Sequence, residues 1–480
     1  MLVISNILVL VILPLAGKTP PLSFEAACIE TIIGILGIAV SVWVGILVVD
    51  RLDHKEIRNL SEKAKEIEKQ QILNEQLSLR LLLDDLEANK NNPIAQWISK
   101  KIKNIDETAF PYGLWIAFRE EEHLYRQMQQ TIGKDSKEVY NQYNNCIKSI
   151  RDTIGHYKES GASVKAIEEI LCLRETEAKF LYAYSIENNK KPVAKNVISD
   201  EEAAQEAATY FIGALEYYEE NLNKFGLDSF EVPSIRLLKE EEATEMIGVL
   251  RRGRNKPEFA YIAYIFNFIG EAYSKLVQYN NDYKISTDKD LNSCKNLALN
   301  YCLLAVTAAN AGNCRRETYF RDYGCAIERA RMKELPLKTA IEQYKEALKL
   351  GFNEKIYHCL ASAYNKDFEA QVSLSKKKGD TNIVKIKLSG GEMEKGKEIL
   401  DKYKPIQMQY LACFPNELMA HVFSVFYYRD QYLVNPKEVP YEYLKYHCDM
   451  IELLLPEEKP KNNTAYEDGR AILEKIALEG

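Results

Sequence analysis

The chain has 480 residues, 46% of them apolar and 28% charged, which is enough apolar material for a sizeable core. It contains only 22 glycines and 15 prolines, a shortage of breakers that excludes collagen-like, linker-rich and many-turned all-β chains. A formal charge of −7 offers no overall basic field for nucleic acid, and 10 cysteines are too few for a disulfide scaffold.

Residues 31–49 carry no charge and are bracketed by Glu30, Asp50 and Arg51. At 1.5 Å per residue the run extends about 28 Å, so a helix crossing a hydrocarbon core of about 30 Å is expected there. Residues 2–17 are also uncharged but include Asn6 and Pro14. They read as the first span of a hairpin in preference to a cleaved signal, because a basic n-region and an A-x-A site are missing. Residues 1–50 are therefore expected to form a membrane anchor. Arg51, Lys55, Arg58, Lys63 and Lys65 crowd the exit of the second span, which by the positive-inside rule places the rest of the chain in the cytoplasm. Gly37, Ser41 and Gly45 share one helix face, where small residues permit close backbone approach. That face serves either self-association, giving a homo-oligomer, or packing against the first span.

Residues 51–92 read as one long helix, a stalk whose apolar seam breaks too soon for an extended coiled coil. Asn91-Asn92-Pro93 ends it. Helical patterns then follow at 94–104, 114–130, 136–158, 163–188, 200–223, 233–250, 257–280, 289–310, 316–332, 337–349, 354–365, 393–403, 416–432, 441–455 and 464–478. Pro405 is expected between elements, and 383–388 is a weak strand-like run inside an insertion. The fold class is all-α, with a helical domain over 93–256, repeats over 257–405 and C-terminal helices over 406–480.

The repeats rest on particular residues. Phe266, Ile269, Gly270 and Tyr273 place large, large, small and large side chains at offsets that Tyr357, Leu360, Ala361 and Tyr364 repeat. Ala340, Tyr344 and Ala347 share the spacing of Ala298, Cys302 and Ala305. The physics is that of a helix pair, in which the small residue admits the second helix and aromatics fill the gap to the next pair. With these residues the chain resembles the tetratricopeptide-repeat (TPR, Sel1-like) family, best over the unit from Tyr323 to Tyr364. The resemblance departs where the gap from Tyr273 to Ala298 is too long and where 367–391 is inserted. It implies an α-solenoid of helical hairpins that binds a protein or peptide on its concave face without cofactor or chemistry of its own.

A search for chemistry yields little. Gly391 to Lys397 matches the start of a phosphate loop, but Glu392 and Glu394 lie where phosphate charge belongs and Glu398 where a hydroxyl is required. Glu120 and His123 have the spacing of a carboxylate-bridged metal bundle but lack a second copy. Glu354/His358 and Glu417/His421 read as contacts along one helix face. His358-Cys359 and His447-Cys448 point about 100° apart on a helix and cannot chelate alone. Two basic clusters, 251–256 and 376–378, read as solvated loops. No catalytic, cofactor or metal residue is assigned. The expected function is a membrane-anchored cytoplasmic adaptor for a protein or peptide, with no nucleic acid as partner. The alternatives are a membrane effector whose hairpin self-assembles under control of the helical domain, and a helical-bundle enzyme.

Overall fold

The computed structural model describes residues 24–88, 93–104, 113–130, 136–159, 165–188, 200–220, 227, 230–250, 256–285, 287–374, 382–455 and 464–479. It divides into two compact units, residues 1–80 and 81–480. Among the described residues the secondary structure is helical throughout, with no strand. The α-helices in chain order are α1 Phe24–Ala88, α2 Pro93–Lys103, α3 Gly113–Gln130, α4 Ser136–Glu159, α5 Lys165–Asn188, α6 Asp200–Glu220, α7 Glu240–Leu250 and α8 Lys256–Tyr283. They continue as α9 Leu291–Ala311, α10 Glu317–Ala330, α11 Leu337–Leu350, α12 Glu354–Gln371, α13 Gly390–Cys413, α14 Leu418–Val434, α15 Tyr441–Leu454 and α16 Thr464–Glu479.

Helix α1 runs 65 residues without a proline, joining the expected span and stalk in one element. Among the described residues no helix is long and apolar enough to cross a membrane, so the span expected at 31–49 is not found as one. The described apolar side chains there cover 33–48, sixteen residues, or about 24 Å of helix against about 30 Å of hydrocarbon. They are exposed: Ile33, Ile35 and Ile46 each at 62% and Trp43 at 63%. The expected first span, 2–17, lies outside the described residues.

From α8 onward the helices stack in neighbouring pairs, an arrangement of solenoid type. Helices α8, α10, α12, α14 and α16 form one layer, each packing on the next of that layer. Helices α9, α11, α13 and α15 form the second layer, each lying between two of the first. Close crossings depend on small residues. A methyl on Gly270 would lie 2.6 Å from Cys302 Sγ and 2.8 Å from its backbone nitrogen, and one on Gly324 2.5 Å from the Tyr344 ring. Ala361, Ser424 and Gly469 occupy the corresponding buried places on α12, α14 and α16. Aromatic rungs fill the remaining gap. Tyr357 stacks on Tyr410 at 5.7 Å and Tyr364 on Tyr403 at 5.4 Å, two antiparallel rungs two helical turns apart.

Three expectations need correction. The strand-like run contains a 3-10 helix, Ile383–Lys385, closed by the Asn382 side chain accepting from the Val384 amide. Pro405 lies inside α13; the carbonyl that it leaves without a donor belongs to Asp401, which is exposed and open to water. The helix expected from 233 begins only at Glu240, because side chains on α9 take the backbone of the preceding segment. Asn300 Nδ2 donates to the carbonyls of Pro233 and Arg236 at 2.8 and 2.9 Å, and its Oδ1 accepts from the Leu238 amide at 2.8 Å. Asn296 Nδ2 donates to the Ser234 carbonyl at 2.8 Å. Buried backbone groups are thus satisfied without a helix.

Glycine substitutions should separate the two environments. Gly270→Ala forces a methyl against backbone that cannot move aside and is expected to cost about 1–3 kcal/mol. Gly155→Ala, with nothing within 4 Å of the added carbon, should gain about 0.5–1 kcal/mol of helix propensity. Urea unfolding of the two variants beside the parent protein measures both.

Candidate functional site

The first layer of the solenoid carries a groove of 960 Å³ across α8, α10 and α12. Its walls include Asn281 and Asp282 of α8, Glu328 and Arg329 of α10, and His358, Ser362, Lys366 and Glu369 of α12.

Glu328, Arg329 and Lys366 of this groove belong to a register of polar side chains counted from the small residue of each first-layer helix. The position four residues on holds an acceptor, Ser274, Glu328 or Asn365, and the position five on holds a cation, Lys275, Arg329, Lys366 or Arg429. Each cation reaches back to the acceptor of the preceding first-layer helix. Arg329 Nη1 donates to Ser274 Oγ at 3.0 Å, Lys366 Nζ to Glu328 Oε2 at 2.6 Å and Arg429 Nη2 to Asn365 Oδ1 at 2.8 Å. Arg429, 1% exposed, also pairs with Asp430 at 2.6 Å and Glu369 at 2.9 Å. Lys275 begins the series with its ammonium 5.5 Å from the Tyr184 ring. The series ends at α16, where the corresponding position is Glu474. The first layer thus carries a ladder of charge-assisted bonds that meets the groove at Glu328, Arg329 and Lys366, the Lys366 side chain being 56% accessible.

The residues singled out for repeat packing lie behind this face. Phe266, Ile269, Gly270, Tyr273, Ala340, Tyr344, Ala347, Tyr357, Leu360, Ala361 and Tyr364 are all buried. Tyr344 also touches the groove, its hydroxyl donating to Glu328 Oε1 at 2.5 Å. Gly37, Ser41 and Gly45 are exposed on α1, with Ser41 Oγ donating to the Gly37 carbonyl at 2.8 Å. The glycines opening α13 form no phosphate cradle: Glu392 reaches back to accept from the Ser389 amide at 2.8 Å, closing a capping box.

Glu120 and His123 are exposed, while the next two carboxylates of that sequence turn inward. Glu121 and Glu122 of α3, each 2% exposed, meet Arg174 of α5, 1% exposed. Arg174 donates to Glu122, its Nε lies 3.7 Å from Glu121 Oε1, and its Nη1 lies 3.8 Å from Glu177 Oε2. Tyr143 of α4 donates to Glu121 Oε1 at 2.8 Å. Arg174, joined at Glu122 by Arg126 Nε at 2.9 Å, cannot offset the desolvation of three carboxylates. Burial accordingly pushes Glu121 and Glu177 up to about 7, against the opposing pull of Arg174. Among the described residues no group of three or more His, Cys, Asp or Glu side chains is placed to hold a metal ion.

His421 does not pair along its helix with Glu417. Its Nδ1 lies 3.0 Å from His447 Nδ1, and its Nε2 donates to the Pro415 carbonyl at 2.9 Å. Burial, then the neighbouring His421, depresses His447 to about 4. Cys448 faces the close crossing at Gly469. The groove residues escaped the sequence reading because only apolar spacing was followed there; counting four and five places on from each small residue would have found them.

No family model matches the chain, and no curated protein and no solved structure is similar to it.

The buried carboxylates fix a pH dependence. Between pH 4.5 and 7 the folded protein holds protons on Glu121 and Glu177 that the unfolded chain has released, so their contribution to stability is lost as pH rises. His447 acts in the opposite sense between about 4 and 6.5, since the unfolded chain binds the proton that the folded one refuses. Glu121→Gln keeps an acceptor for Tyr143 and removes one titration. Its stability should fall less steeply over pH 5–7, by up to about 1.4 kcal/mol per pH unit, and exceed that of the parent at pH 8. Urea midpoints measured across that range test this.

Proposed function

We propose that this chain is a membrane-associated helical-repeat scaffold of tetratricopeptide type, which binds an extended segment of a partner protein in the groove across α8, α10 and α12. The observation that carries the reading is the staple register, a small residue, acceptor and cation repeated along one helical layer, of which Glu328, Arg329 and Lys366 line one open groove. A partner carboxylate can take a proton donor from Lys366, while backbone amides of an extended segment find acceptors and donors in Asn281, Asp282 and Ser362. The chain already grips extended backbone of its own in this manner, through the carboxamides of Asn296 and Asn300.

The membrane part of the proposal rests on α1. An uncharged stretch with Ile33, Leu36, Val40, Trp43 and Leu47 all more than 40% exposed costs free energy in water, about 25 cal/mol for each Å² of apolar surface. A bilayer removes that cost, and the basic residues following at 51–65 suit an anionic cytoplasmic leaflet. A second reading, self-assembly of α1 as a membrane effector, is favoured by the open space at Gly37 and Gly45, where an added carbon has nothing within 4 Å. Replacing both glycines by leucine should then abolish cross-linked oligomers while leaving partner capture by the groove unchanged.

The two parts separate experimentally. Lys366→Ala should reduce capture of the partner from membranes by the full-length bait about tenfold, with its circular dichroism unchanged. Leu36→Lys combined with Trp43→Lys should prevent flotation with phosphatidylserine-containing vesicles while partner capture persists. Capture undiminished by the first change, or flotation undiminished by the second, removes the corresponding half of the proposal.

A further inference from the structure

Cys325 on α10 and Cys359 on α12 face each other where these two helices pack, with their sulfurs 3.7 Å apart. Both are partly exposed and both line the groove, so a small reagent can reach them from solvent. A disulfide needs the sulfurs at about 2.05 Å, an approach within the range of side-chain rotation and a slight shift of two neighbouring helices. Of the other described cysteines, Cys146, Cys172, Cys294, Cys302 and Cys448 are buried and Cys413 is exposed, while Cys314, partly exposed like the pair, donates to the Ala309 carbonyl at 3.6 Å.

The surroundings of the pair are asymmetric. The two sulfurs are within hydrogen-bonding reach of each other, and the Tyr344 hydroxyl lies 3.5 Å from Cys325 Sγ. These contacts together with the charge of Arg329 hold Cys325 below the usual thiol range, against burial and the nearby Asp322 carboxylate. Cys359 is pushed the other way, first by the same sulfur contact and then by burial and Glu328. Arg321, Lys366, His358, Cys302 and Tyr410 are further charged and titratable groups around the two sulfurs. Cys325 is thus the attacking thiolate and Cys359 the resolving thiol.

We propose that Cys325 and Cys359 form a thiol–disulfide exchange site, oxidised by a low-molecular-weight disulfide to a bond that links α10 to α12 across the groove. The Cys325 thiolate attacks one sulfur of the reagent RS–SR. A protein–S–SR bond forms, the reagent's bond breaks, and RS⁻ leaves. Cys359 gives its proton to that departing thiolate and attacks Cys325 Sγ, expelling the second RS⁻. Two protein sulfurs are oxidised and one reagent disulfide is reduced to two thiols. The linkage bridges helices that carry Glu328, Lys366 and Ser362, so it lies within the surface that the groove presents.

The test uses full-length protein freed of reductant and incubated with oxidised glutathione. Acid quenching, alkylation, digestion and peptide mass analysis then follow. The expected product is a peptide pair joined through Cys325 and Cys359, lighter by two hydrogens than the reduced pair and lost from the alkylated pool. In Cys359→Ser the glutathione adduct should accumulate on Cys325 because nothing resolves it. In Cys325→Ser the Cys359 thiol should remain alkylated in full, while the exposed Cys413 takes up glutathione in all three proteins. The proposal is overturned if the parent protein keeps both thiols alkylated under conditions that modify Cys413. It is equally overturned if the adduct persists on Cys325 beside a free Cys359.

Discussion

Where the Gly324 hydrogen points, there is no room for a methyl group: the nearest carbon of Tyr344 would stand 2.5 Å from it. The same holds at Gly270 against Cys302 and at Gly469 against Cys448. These crossings bring the two layers of the 256–480 region into contact close enough for side chains to interdigitate without voids. The aromatic rungs between α12 and α13 then have a fixed gap to fill. The tyrosines therefore serve as spacers of constant size: Tyr410 donates to Glu354 at 2.8 Å and Tyr403 to Gln407 Oε1 at 3.2 Å in the core, while the Tyr364 hydroxyl is buried.

The close crossing also sets where polar groups fall. A side chain five residues beyond the small residue sits more than one turn along the helix, next to the preceding first-layer helix, and there it must find a partner. Arg329, Lys366 and Arg429 solve this identically, with an acceptor one place short of the preceding cation. Packing and surface chemistry are thereby tied to one count. The buried carboxylates around Arg174 represent a different solution, in which protonation near neutral pH makes up for the missing cations.

Much of the fold was legible because it depends on periodicity. Most elements from 94 to 478 were found within a few residues of their bounds, although 393–403 is part of a helix over Gly390–Cys413 and 354–365 part of one over Glu354–Gln371, and the offsets around Gly270, Tyr344 and Ala361 mark buried positions. What was not legible depends on partners distant in sequence. Pro405 reads as a breaker until the solvent at Asp401 is known, and 233–239 reads as helical until Asn296 and Asn300 are seen to hold its backbone. Cys325 and Cys359 lie in different helices, and only the stacking of α10 on α12 makes them neighbours. The groove residues were hidden for another reason: the apolar pattern that reveals a repeat is silent about the polar side chains that it aligns.

A stack in which the helices pack mainly on the next one or two in chain order transmits mechanical load from pair to pair. Pulling on α16 while α8 is held would load the Arg429, Lys366 and Arg329 staples in turn, each beside a second-layer helix that bridges the same two first-layer helices. Such a region extends by separation at its weakest crossing, and the remaining pairs keep their own packing. The layered arrangement therefore makes 256–480 compliant along the stack and stiff across each helix pair.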